Sequence, residues 1–296
     1  MFKIIKKRYL APNIYLMEVE APRVARVAKP GQFIIVKMDE KGERIPLTIC
    51  DYDKTAGTVT IVFQTMGSST KRMALMEDGE YFSDFVGPLG RPSEFVEEDF
   101  EELKKKKIIF VAGGVGAAPV YPQVKWLHEK GIIADAIVGC KSKDYLLLEK
   151  EMKLVTGNLY IATDDGTYGY KGFVTNLLKD LIEKEGKKYD VVVAIGPMIM
   201  MKFIAKLTKD YGIKTIVSMN PVMVDGTGMC GGCRITVGGE TKFACVDGPE
   251  FDGHLVDFDQ AMRRSTQYKT EEGRAEIERH KKEEGHVCNL GLGVNK

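Results

Sequence analysis

"KIIFVAGGVGAAP", residues 107–119, decides the fold. The apolar run Ile108 to Ala112 opens into a glycine turn at Gly113, Gly114 and Gly116. Ala117, Ala118 and Pro119 then begin a helical stretch that reaches Gly131. A buried strand that runs through glycines into a helix is the first half of a strand–helix–strand unit. The glycines let backbone come close to a dinucleotide at the helix N-terminus. The spacing is not G-x-G-x-x-G, and glycine turns after strands are common, so this stretch alone leaves the ligand open. Pro122 is expected in the first helical turn, where a proline does least harm.

The same rhythm continues downstream. "IADAIVGC", "NLYIATDD", "YDVVVAIGP" and "IKTIVSM" read as strands, and "LLLEKEMKLV", "GFVTNLLKDLIEKEG" and "MIMMKFIAKLTKDYG" as the helices between them. Strand–helix alternation over residues 101–219 predicts an α/β doubly wound parallel sheet. Ligands gather at strand ends in such sheets, which singles out Asp164 and Asp165.

Residues 1–100 differ. "NIYLMEVEAP", "GQFIIVKM", "TVTIVFQTM" and "GEYFSDFVGPLG" are short alternating runs punctuated by Gly, Pro and Asp, the pattern of an antiparallel β-barrel. Within them, "RIPLTI" places Arg44 at a strand end, and a guanidinium fork suits a pyrophosphate. "GSST", Gly67, Ser68, Ser69 and Thr70, precedes a helical segment and offers amides and hydroxyls to a phosphate. The bland reading of that stretch is an ordinary helix cap. "EEDFEELKKKK" is a charged connector whose lysines, Lys104 to Lys107, read as a solvated helix end.

Residues 220–260 carry "DGTGMCGGC", with Asp225, Cys230 and Cys233, followed by Cys245. The spacing D-x4-C-x2-C-x11-C is a plant-type iron–sulfur run with Asp in its first place. Glycines 226, 228, 231 and 232 free amides to point at sulfides. A dithiol pair, a zinc site and buried unliganded thiols compete, but each accounts for less of the pattern. Cys50, Cys140 and Cys288 fit no ligand spacing. From about residue 260, within 261–296, a polar tail reads as a solvated helix or partner-binding arm.

Lys plus Arg number 43 and Asp plus Glu 42, so no electrostatic case exists for nucleic acid. No stretch approaches the roughly 18 apolar residues of a membrane span, and the N-terminus reads as a strand rather than a signal peptide. These features lead us to expect a cytoplasmic protein.

The order of these motifs resembles the ferredoxin–NADP reductase superfamily. Within it the likeness is to the cluster-bearing branch, which includes the electron-transfer subunit of dihydroorotate dehydrogenase, the small subunit of NADH-dependent reduced ferredoxin:NADP oxidoreductase and the sulfide dehydrogenase subunit. The likeness spans roughly residues 5–260. It rests on "RIPLTI", on "GGVGAAP" in the family's G-G-x-G-x-A-P form, on "TDDGTYGYKGFVT", on "AIGPMIMM" and on "CVDGPEF". Ile195 stands where the family usually has Cys beside the nicotinamide. The resemblance implies FAD held by Arg44, Pro46, Leu47, Thr48, Gly67 and Thr70, with Thr48 near the flavin's reactive edge. It implies NAD(H) in the second domain, with Gly196, Pro197 and Met198 beside the nicotinamide, and a [2Fe-2S] cluster on Asp225, Cys230, Cys233 and Cys245. Lys141, Ser142 and Lys143 leave NAD against NADP open by composition; the relatives point to NADH.

The resemblance further implies electron-transfer work: NADH to FAD to cluster, onward to a large subunit with a second flavin, [4Fe-4S] clusters and the NADPH site, and indirectly to ferredoxin, by flavin-based bifurcation. No protein acid or base is needed, and His128, His254, His280 and His286 receive no catalytic role. Asp225 favours the reductase and sulfide dehydrogenase members over the orotate member, whose pattern has four cysteines. A non-catalytic redox-sensing or interaction subunit is the alternative of another class, and the intact flavin and glycine motifs weigh against it.

Overall fold

A computed structural model describes residues 1–274 and 277. Seven strands form the first sheet: β1 Phe2–Ala11, β2 Ile14–Glu20, β3 Phe33–Lys37, β4 Ile45–Asp53, β5 Thr58–Gln64, β6 Tyr81–Phe82 and β7 Asp84–Leu89. Every pairing is antiparallel, in the order β6-β1-β2-β5-β4-β3-β7, and the sheet curls into a nearly closed barrel. Alternation in the sequence becomes inward-facing Ile34, Ile49, Ile61, Phe63, Phe82 and Phe85, all buried in one core. Two short helices decorate it, α1 Pro22–Val27 and α2 Ser68–Met73.

The connector folds as α3 Phe100–Lys105, capped by the Asp99 carboxylate on the N–H groups of Glu101 and Glu102. The lysine run closes it, as read from the sequence. The second sheet holds β8 Ile108–Gly113, β9 Asp135–Cys140, β10 Leu159–Thr163, β11 Tyr170–Lys171, β12 Val191–Ile195 and β13 Lys214–Ser218. Helices α4 Ala117–Glu129, α5 Glu149–Val155, α6 Val174–Glu183 and α7 Met198–Asp210 cover its faces. Along β8, Ile108, Phe110 and Ala112 enter one core and Ile109 and Val111 the other, because strand side chains alternate and both faces are covered.

Three departures from the sequence reading stand out. The sheet is not purely parallel: Glu250–Asp252 forms an antiparallel strand, β16, on β13, preceded by the hairpin β14 Arg234–Val237 and β15 Glu240–Phe243. Pro122 lies inside α4 rather than in its first turn, so the Ala118 carbonyl has no N–H four residues on. The polar tail begins as α8 Phe258–Ser265, whose Phe258 and Ala261 are buried, so its first turns are core-packed rather than solvated. Residues 275–276 and 278–296 of the tail expected as an arm, with Cys288, His280 and His286, lie outside the described residues. Among the described residues no helix is long and apolar enough to cross a membrane.

Candidate functional site

In the second sheet the strand order is β11-β10-β9-β8-β12-β13-β16. The chain moves one way from β8 through β9 and β10, then returns to the other side at β12. Ligand crevices form where the order reverses, at the carboxyl ends of the strands. The β8–α4 and β12–α7 turns meet at that point.

The glycines there serve a purpose the sequence reading did not foresee. A Cβ on Gly116 would lie 2.1 Å from the Ile195 carbonyl oxygen, and one on Gly113 would lie 2.4 Å from Met200 Sδ. On Gly196 it would come within 3.0 Å of the Gly113 backbone. Gly113, Gly116 and Gly196 therefore let the two turns pack on each other. Gly114 alone faces open space, at φ +56°. Ala117 and Pro119 are buried at the start of α4, while Pro197 caps α7 and Met198 begins it. Asp164 and Asp165 sit exposed beyond β10, tied by backbone N–H bonds to the Cys140 and Lys141 carbonyls at the end of β9. The Asp165 carboxylate accepts from the Thr167 N–H and hydroxyl, which hold it below its ordinary pKa. Lys143 lies over the Tyr168 ring.

On the barrel, Pro46, Leu47 and Thr48 run beside β3, opposite Ile35, Ile34 and Phe33. Gly67 is the N-cap of α2, and the Thr70 hydroxyl accepts from the N–H groups of Met66 and Gly67. Those groups are thus spent on the helix's own cap. The Ser69 hydroxyl bonds the Glu43 carboxylate. Arg44 does something no local pattern announces. Its Nε donates to the Val224 carbonyl at 2.9 Å and its Nη2 to the Asp225 carbonyl at 3.2 Å. The flavin-type motif and the cysteine loop therefore share a wall.

That loop is seated on the barrel. Cys233 and Cys245 are buried in one small core with Met223, Ala244, Phe33 and Ile35. Gly226, at φ +82°, leaves no room for a Cβ, which would strike Ile35 Cδ1 at 2.5 Å. The Cys233 and Cys245 sulfurs stand 3.2 Å apart as free thiols. Burial first, then the Cys233 thiol, push Cys245 up to about 12. Cys230 is exposed, and the N–H groups of Gly232 and then Asp225 hold its pKa down. The Gly228 N–H acts on Cys245 in the same sense.

The Asp225 carboxylate accepts from the Thr227 hydroxyl and from the N–H groups of Thr227 and Met229, and so closes its own turn. Among the described residues no three His, Cys, Asp or Glu side chains converge on one point. The loop brings Cys233 and Cys245 together and leaves Asp225 and Cys230 beside them. Three thiols and a carboxylate, with backbone N–H groups aimed at sulfur, fit an anionic iron–sulfur cluster. Cys50 and Cys140 are buried elsewhere, and burial raises both thiols.

Comparison with known proteins agrees with this geometry. Residues 220–257 match the iron–sulfur cluster binding domain of dihydroorotate dehydrogenase B. The chain is 63% identical over 98% of its length to an uncharacterized protein in the adh 3'region of Clostridium beijerinckii, covering 97% of that protein. It is 42% identical over 91% of its length to the dihydroorotate dehydrogenase B (NAD(+)) electron transfer subunit homolog of Thermotoga maritima, covering 92% of it. A chain of the NADH-dependent reduced ferredoxin-NADP oxidoreductase structure, solved in a study of flavin-based electron bifurcation, superimposes with a TM-score of 0.87 at 40% identity; 95% of this chain and 98% of that one are covered. Barrel, doubly wound sheet and cysteine loop thus occur together in proteins that share the whole length, and the chain belongs to the family of dihydroorotate dehydrogenase B electron-transfer subunits and their homologues.

Proposed function

We propose that this chain is the electron-transfer subunit of an oxidoreductase, moving electrons between NADH, FAD and a [2Fe-2S] cluster and onward to a larger subunit. Flavin exchanges electrons in pairs with a nicotinamide and singly with a cluster, which is the chemistry these groups supply when bound. The chain's own residues orient and insulate. Arg44, Pro46, Leu47 and Thr48 offer a strand edge to FAD. The N–H groups of Ser68 and Ser69, which have no protein acceptor among the described residues, are free for its phosphates. The crevice between the β8–α4 and β12–α7 turns takes the nicotinamide nucleotide, with Gly114 facing it and Asp164, Asp165 and Met198 on its rim. Asp225, Cys230, Cys233 and Cys245 would hold the cluster. The four parts of the chain divide as 1–100, 101–219, 220–260 and 261–296, in a cytoplasmic protein.

One observation carries this reading: Arg44 grips the carbonyls of Val224 and Asp225, so the flavin motif and the cluster loop abut. A two-electron carrier beside a one-electron carrier has a use only if both are loaded. Asp225 in place of a fourth thiolate favours the bifurcating small subunit and the sulfide dehydrogenase subunit over the orotate partner. The partner would then be a large subunit with flavin, [4Fe-4S] clusters and the NADPH site, serving ferredoxin. The test is anaerobic titration of the purified holoprotein with NADH, followed by visible absorption and low-temperature paramagnetic resonance. Bleaching of flavin with appearance of a reduced-cluster signal supports the reading. Absence of flavin or of acid-labile sulfide overturns it.

A further inference from the structure

Five residues past Cys245, a half-buried acid turns its carboxyl inward with no cation partner among the described residues. Glu250 begins β16 where three parts of the molecule meet. Its Oε1 accepts from Ser93 Oγ at 3.1 Å, on the segment leaving the barrel, and from Gln123 Nε2 at 2.8 Å, on α4. Ser93 and Gln123 are fully buried. The barrel's Gly31 packs so tightly here that a Cβ would stand 2.4 Å from Ser93 Oγ and 3.2 Å from Glu250 Oε1. Among the described residues two buried oxygens have no partner: Glu250 Oε2 and Gln123 Oε1, the other halves of the same carboxyl and the same amide.

Two bare acceptors on a hydrogen-bonded acid and amide are costly in a dry site when the acid is ionised. A single proton on Oε2 resolves both. The carboxyl then donates to the amide oxygen while the amide N–H donates to the carboxyl, a closed acid–amide ring. The surrounding charges favour that state. Glu94, the acidic neighbour, raises the acid and is itself paired with Lys214 at the start of β13. Of the nearby cations, Lys125 of α4 is engaged on Asp51 and Arg91 donates to the Val246 carbonyl. Burial is the largest cause of a rise to about 7.

We propose that Glu250 is carried as a neutral acid, paired ring-wise with Gln123, and that this pair is the latch fixing the cysteine region to α4 and the barrel. Glu250 is a positioning residue, since it reaches no cofactor-binding residue named above. The sign follows from linkage. Because the folded acid holds its proton to higher pH than the unfolded one, stability is full below about 4.5, falls as pH rises to about 7, and is level beyond.

The test is thermal unfolding of the full-length holoprotein between about pH 5 and pH 9. Glu250→Gln keeps the ring, since its amide N–H replaces the acid O–H. It is expected to match the parent at the acid end and to lose the midpoint drop across that window. Gln123→Leu, which removes the ring partner, is expected to lower the midpoint throughout. Superimposable pH profiles for parent and Glu250→Gln overturn the proposal. Should the variants not fold, pH-difference infrared spectra of the parent decide: a protonated-carboxyl band that disappears on alkalinisation supports the latch, and its absence at the acid end refutes it.

Discussion

Replacing Gly116 with Ala should separate the nicotinamide function from everything else the chain does. Gly116 has ordinary helical dihedrals, φ −58° and ψ −14°, so alanine carries no backbone penalty there. The obstacle is contact. The new Cβ would stand 2.1 Å from the Ile195 oxygen and 2.7 Å from its carbonyl carbon. Ordinary carbon–oxygen contact needs more than about 3 Å, so the two turns must part by about 1 Å. Overpacking of this kind costs roughly 1–3 kcal/mol, and a displacement of about 1 Å at a reacting pair costs about a hundredfold in rate. We therefore expect flavin and cluster content to match the parent while the rate of NADH-driven flavin bleaching, followed by stopped flow, falls by about two orders of magnitude. Gly131→Ala is the control. It too is a glycine of α4's neighbourhood, at φ +76° with nothing within 4 Å, and carries only a left-handed backbone penalty of about 1 kcal/mol, with no change in bleaching rate. Parent-like hydride transfer in Gly116→Ala would refute the assignment of this crevice to the nicotinamide.

Asp225→Cys should retain a cluster with an altered reduction potential, whereas Asp225→Ala should lose iron and acid-labile sulfide; equal iron in parent and both variants would show that Asp225 is no ligand. Arg44→Ala removes two charged hydrogen bonds to the loop, each worth about 1–3 kcal/mol. It should lower FAD content and speed iron loss to a chelator together, where a residue serving the flavin alone would change only the first.

The two folds were legible because their periods differ. Alternation of two in residues 13–66 and buried runs between helices from 108 onward leave little choice of architecture. The strand β16 was hidden for the opposite reason: three residues, "EFD", carry no period. The candidate ligands could be read from spacing because they lie close in sequence, three in one loop and Cys245 just past the hairpin that follows. Arg44 could be read as a charged residue at a strand end, but not as the grip on residues 180 and 181 positions away, since nothing local encodes a long-range carbonyl contact. The glycine turns illustrate a subtler gap. Their positions pointed to a nucleotide crevice, yet at Gly113, Gly116 and Gly196 the absent side chain answers to a neighbouring turn. Glu250 stood in plain view within "CVDGPEF", and only burial reveals it as an acid without a cation.

The strand that the cysteine region contributes has a bearing on how the chain can be divided. β13 would otherwise end its sheet with a bare row of amides and carbonyls over Ile216, Val217 and Ser218, and β16 covers that row. Open ladders of this kind recruit strands from other molecules. A fragment cut before residue 250 would present a sticky margin to its fellows and self-associate, so the iron-binding segment is a seam of the nucleotide-binding layer and not a detachable module.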